Sequence, residues 1–178
     1  MNSSDQHDRT LRKSKKIMLQ NRLRGKGKRS ALAKLINRNA TFLELEASLA
    51  IWAEIERKHL WQSTPYNGYV QIDVKDDCES YVGIMETVLA EVGELGGFCF
   101  TPDWKSTGVV IMDSIELGND LNSILHSNDD EVSFFSASLE KAVLFIGDRT
   151  GSGDMLKELS VSVLGEDWVR KWKDATEA

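Results

Sequence analysis

Cysteine and histidine are scarce in this 178-residue chain: it has two cysteines, Cys78 and Cys99, and three histidines, His7, His59 and His126. Two thiols close at most one bridge, which excludes a disulfide scaffold. There is no CxxC and no HxxxH pair. A zinc site needs three or four such ligands brought together, so no metal and no cofactor is expected. Cys78 at a helix start and Cys99 between Phe98 and Phe100 read as packed free thiols. Long apolar runs are also missing, and nothing approaches the roughly 18 residues of a membrane span. The N-terminus is basic without the apolar stretch of a secretory signal, and Asp5 and Asp8 count against a mitochondrial presequence. A cytoplasmic location with no membrane partner is the expectation.

Catalytic signatures are equally thin. The chain has no G-x-S-x-G, and no histidine sits in a telling context. His59 reads as a helix residue, and His126 as a helix end where a cation suits the dipole. Gly151-Ser152-Gly153 lies between a predicted strand and a predicted helix, where a phosphate loop would sit. The third glycine of that fingerprint is Leu156, and Asp148 and Asp154 would repel phosphate. Asp73-Val74-Lys75 has the D-x-K form of a metal-dependent nuclease, but no aspartate lies between Arg57 and Ile72 to supply the second carboxylate.

What the chain does have is segregated charge. Overall it carries 22 Lys+Arg and 28 Asp+Glu, a net −6. Residues 1–38 hold 12 cations and 2 anions, a balance of +10. Residues 39–178 hold 10 and 26, a balance of −16. Such asymmetry marks a basic arm on an acidic body, and the division 1–38 and 39–178 follows. The arm's cations are Arg9, Arg12, Lys13, Lys15, Lys16, Arg22, Arg24, Lys26, Lys28, Arg29, Lys34 and Arg38. Each can replace a counterion condensed on a phosphate backbone. The arm has no Phe, Tyr or Trp for base stacking, so duplex DNA or structured RNA suits it better than single strands. An acidic protein surface, including the chain's own body, is the rival partner, and plain solvation the third reading.

Periodicity predicts the elements. Arg9 to Arg24 reads as helical, Gly25-Lys26-Gly27 as a break, and Ser30 as the cap of a short helix to Arg38 with Leu32, Leu35 and Ile36 on one side. Thr41-Phe42-Leu43-Glu44 has the form of a capping box for a helix to about Trp61, whose apolar face is Phe42, Leu45, Leu49, Trp52 and Ile55. Val70, Ile72 and Val74 alternate with Gln71 and Asp73, a half-buried strand. Asp76 or Asp77 caps a helix over 79–95, closed by Gly96-Gly97. Strands follow at 98–101 and 109–112, a short helix at 120–126, and strands at 132–135 and 142–146. Two terminal helices are predicted, 154–164 and 166–173. The fold class is α+β: a mixed or largely antiparallel sheet of about five strands with helices packed on it, preceded by the basic helical arm.

Acidic residues cluster as Asp73, Asp76, Asp77 and Glu79, as Asp113, Glu116 and Asp120, and as Asp129, Asp130 and Glu131. A face for a basic protein partner is expected at Asp129, Asp130 and Glu131. Trp168 and Trp172, four apart on one helix, share a side and are a second candidate contact. The functional expectation is a non-enzymatic binding or regulatory accessory protein, resembling in charge layout an antitoxin, immunity or assembly factor. The alternative is a metal-dependent enzyme acting on a phosphate-containing substrate, its site among Asp73, Asp77, Asp113 and Asp148.

Overall fold

Leu159, Val161 and Val163 alternate with Ser160 and Ser162, and in the computed structural model the segment Glu158–Leu164 is a strand. The helix expected over 154–164 is not there. β-Branched valines at every second position fit a pleated surface, and the serines between them face the other way. The structure describes residues 25–36, 41–58, 68–75, 77–127, 131–148 and 156–176.

In chain order the elements are α1 (25–35), β1 (Thr41–Phe42), α2 (Leu45–Arg57), β2 (Tyr69–Val74), α3 (Cys78–Val92), β3 (Gly97–Phe100), α4 (Trp104–Thr107), β4 (Val110–Met112), α5 (Ser114–Ser127), β5 (Glu131–Phe135), β6 (Ala142–Asp148), β7 (Glu158–Leu164) and α6 (Glu166–Thr176). The class is α+β. The seven strands form one sheet in the order β1-β4-β3-β5-β6-β7-β2, and every neighbouring pair is antiparallel. The five expected strands are all present, and β1 and β7 are additional.

Strand alternation gives the sheet two different faces. On one, Val70, Ile72 and Val74 of β2 align with Val163, Val161 and Leu159 of β7, and these with Val143 and Phe145 of β6. Helices α1, α3, α5 and α6 bury this face, with Met85, Leu89, Leu121, Trp168 and Val169 in one continuous core. Each such side chain contributes about 1.5–3 kcal/mol by leaving water. Trp168 stacks on Phe134 with centroids 6.1 Å apart. On the other face, α2 and α4 cover one part through an aromatic group. Phe100 meets Trp52, Trp104 and Phe135 at 5.6, 5.3 and 5.5 Å.

Several boundaries differ from the sequence reading. Thr41 and Phe42 do not cap a helix. They pair with Ile111 and Val110, and Leu43 N–H extends that pairing to the Val109 carbonyl at 2.8 Å. Glu44 stands at the α2 N-cap without a side-chain cap bond. The buried side of α2 is therefore Ser48 and Ile55, while Leu45 and Leu49 are 44% and 48% exposed. Helix α3 begins at Cys78 after Asp77, whose φ is 56° and whose carboxylate makes no cap bond; it ends at Val92, before Gly93. Helix α5 starts six residues earlier than expected, at Ser114. Gly118 sits inside it because α3 passes close by. A Cβ there would lie 3.0 Å from the Glu86 carbonyl oxygen. The expected break at Gly25-Lys26-Gly27 is also absent, since α1 runs through all three residues.

Candidate nucleic-acid interface

Helix α1 carries four of the basic residues assigned to nucleic acid: Lys26, Lys28, Arg29 and Lys34. Arg9, Arg12, Lys13, Lys15, Lys16, Arg22, Arg24 and Arg38 lie outside the described residues. Leu32 and Ile36 are 6% and 2% exposed and belong to the main core. The half-buried Leu35 packs against them. The carboxyl-terminal part of the basic segment is thus built into the acidic body.

Three polar contacts fix how α1 sits. Arg29 Nε donates to the Thr107 carbonyl, and its Nη2 donates to the Leu43 carbonyl at 3.2 Å. The same guanidinium lies 5.6 Å from the centre of the Phe42 ring. Charged donors on backbone carbonyls are among the stronger hydrogen bonds, and the planar Arg fork can hold two carbonyls and an aromatic face at once. Lys28 forms an ion pair with Asp103, and Arg29 lies 3.9 Å from the exposed Glu44. Both are surface pairs and contribute at most about 1 kcal/mol. Gly25 supplies the close approach. A Cβ at that position would collide with the Ser106 carbonyl oxygen, whereas one at Gly27 would meet nothing within 4 Å.

The four cations therefore divide. Lys28 and Arg29 are used on the body. Lys26 and Lys34 are exposed. They stand eight residues apart, about 12 Å along the helix, with the exposed Ser30 midway between them.

The remaining candidate residues scatter. Glu131 is exposed at the start of β5, and Asp129 and Asp130 lie outside the described residues. Trp168 and Trp172 are 1% and 6% exposed. They do share a side of α6, as their spacing predicts, but that side is the core. Trp172 Nε1 donates to Tyr81 Oη at 2.9 Å, and burial pushes the Tyr81 hydroxyl pKa up even though this contact opposes it. On this fold neither indole is on the surface to meet a partner.

Of the carboxylates of the enzyme alternative, Asp113 stands apart from Asp73. Asp73 is on β2 and Asp113 follows β4, with four strands between them. That is about 24 Å at the usual strand spacing. Asp113 is engaged locally, where its Oδ1 accepts from Gly96 N–H at 2.7 Å. Its own N–H donates to Glu116 Oε2 at 2.9 Å, the reciprocal arm of a capping box at the start of α5. Among the described residues no three His, Cys, Asp or Glu side chains come together as a metal site.

One cleft of about 350 Å³ opens at the far end of β2, β6 and β7, lined by Asp73, Lys75, Gly147, Glu158 and Ser160 among others. Glu158 and Ser160 escape the sequence reading because their segment is expected there as a helix. The period-two valines are the signal that could have found them. Among the described residues no helix is long and apolar enough to cross a membrane.

No protein family, curated protein or solved structure matches the chain. The charge layout and the docking of α1 are therefore the ground for a functional reading.

Proposed function

We propose that this protein is a non-enzymatic binding protein whose basic N-terminal segment engages the phosphate backbone of DNA or RNA. The acidic body holds that segment at a defined place and meets a basic protein partner. The observation that carries the reading is that Lys26 and Lys34 stay exposed on the docked helix. The segment with a balance of +10 includes α1, and α1 is fastened by Leu32, Ile36 and Arg29. A body with a balance of −16 repels nucleic acid, so contact is confined to the arm and the exposed Lys26 and Lys34 on its root. Phosphate contacts of this kind position a protein without reading sequence.

The test is equilibrium binding of the full chain to a mixed-sequence duplex across a salt series. The logarithm of affinity should fall linearly with the logarithm of salt, with a slope of about −0.9 per phosphate neutralised. Neutralising Arg9, Arg12, Lys13, Lys15 and Lys16 to glutamine should lower affinity and flatten the slope. Lys26→Gln with Lys34→Gln should reduce the slope by about one to two. No binding to duplex DNA or structured RNA at low salt, or a slope unchanged by these substitutions, overturns the reading. A basic protein partner would be lost on charge reversal at Asp129, Asp130 and Glu131.

A further inference from the structure

The sheet ends differently at its two edges. One edge is β1, two residues long. The other is β2, six residues of sequence YVQIDV paired to β7 along its whole length. Among the described residues β2 is the last strand. Natural edges are blunted by proline, lysine, bulges or shortness. Within Tyr69–Val74 there is no proline, no lysine and no break in the register with β7, and Asp73 is its one charge. Its apolar side chains are also incompletely covered. Val70, Ile72 and Val74 are half-buried, while Leu159, Val161 and Val163, beside them on β7, are each 1% exposed.

We infer that β2 pairs with β2 of a second copy of this chain, joining two sheets into one of fourteen strands. Antiparallel pairing about a two-fold axis through Ile72 matches the strand to itself. Val70 then faces the partner's Val74, and Ile72 faces the partner's Ile72. On the opposite side of the sheet Gln71 faces the partner's Asp73, and Tyr69 faces the partner's Lys75. Every pair except Ile72 with Ile72, which lies on the axis, occurs twice by symmetry. A carboxamide can donate to the carboxylate opposite it, and an ammonium is attracted to the tyrosine ring opposite it. Within its own sheet Gln71 makes two side-chain contacts. Its Oε1 accepts from Tyr69 Oη at 2.8 Å, and its Nε2 donates to Ser160 Oγ at 3.3 Å. That NH2 group has a second donor for the carboxylate.

Neighbouring registers are poorer. Centring on Asp73 places two like charges opposite one another, which is destabilising. Centring on Gln71 leaves Val74 and Lys75 beyond the paired stretch. The self-match in charge and side-chain type commits the occupant to a second copy rather than an unrelated strand.

The experiment is sedimentation equilibrium of the full chain up to about 100 μM, enough to populate a dimer of micromolar affinity. The expected mass is twice that of one chain. Gln71→Glu sets two carboxylates opposite one another at both symmetric positions and should weaken the dimer roughly ten-fold. Gln71→Glu combined with Asp73→Lys restores opposite charges and should recover the affinity to within a few-fold. Residues 71 and 73 are exposed, so the variants keep the fold, and far-ultraviolet circular dichroism verifies it. A monomer at the highest concentration, a dimer indifferent to Gln71→Glu, or a double variant that does not recover each overturns the proposal.

Discussion

Two glycines in helix α1, two residues apart and so on opposite sides of it, should respond oppositely to the same substitution. Alanine is favoured over glycine inside a helix by about 1 kcal/mol. At Gly27 the added methyl meets nothing within 4 Å, so Gly27→Ala should gain most of that. At Gly25 it meets the Ser106 carbonyl oxygen. That oxygen cannot swing aside cheaply. Ser106 N–H is bonded to the Asp103 carbonyl at 2.8 Å, and Thr107 N–H to the same carbonyl at 3.0 Å. Overpacking of this kind costs about 1–3 kcal/mol, and relief by lifting α1 would expose Leu32 and Ile36 at about 1.5–3 kcal/mol each. The lesser of these penalties decides the outcome, so Gly25→Ala should be destabilising by up to about 2 kcal/mol net. For a chain of this size 1 kcal/mol moves Tm by about 2–4 °C. Differential scanning calorimetry should therefore show Gly27→Ala melting a few degrees above the parent and Gly25→Ala a few degrees below. If both variants rise together, α1 does not lie against α4 through Gly25, and the rooting of the basic segment on the body fails with it.

Two further outcomes follow from buried groups. Ser48 Oγ accepts from Val109 N–H at 3.0 Å and donates to the Glu44 carbonyl at 3.0 Å, and the residue is fully buried. Ser48→Ala leaves the Val109 donor unmatched and should cost about 1–3 kcal/mol in urea unfolding; an unchanged midpoint would show that water replaces the hydroxyl. Burial pushes the Cys99 thiol up to about 12, and thiolate is the reactive form. A disulfide reagent at pH 8 should leave Cys99 unmodified in the native protein and label it in denaturant, and rapid native labelling of that residue would contradict its placement in the core.

Legibility of the sequence tracks how local the deciding interaction is. Strand β2 and helix α3 are visible because their periodic apolar residues face one core. Strand β7 is not, because terminal segments rich in Leu, Lys and Glu suit a helix, and only the valine-serine alternation tells against it. The break expected at Gly25-Lys26-Gly27 follows from the weak helix propensity of glycine, yet Gly25 is there to let α1 approach α4, a contact 81 residues away in sequence. Thr41-Phe42 fails as a cap for a similar reason: pairing with β4 overrides the local box. The charge division is plain from the sequence. That Lys28 and Arg29 serve the body while Lys26 and Lys34 face outward is not, because Asp103, Thr107 and Leu43 are brought to α1 only by the fold. Trp168 and Trp172 share a side as their spacing requires, but spacing cannot tell a core from an interface.

The position of β7 between β6 and β2 has a consequence for synthesis. β2 leaves the ribosome before its neighbour in the sheet, which comprises residues 158–164. At about 5–20 residues per second, some ninety residues separate the two for several seconds. Throughout that interval β2 lacks β7, its neighbour in the sheet. The sheet can assemble from β3 to β6 as the chain emerges, but β2 joins it only once β7 is made. Truncation before β7 therefore strands β2, because β7 is its link to the rest of the sheet.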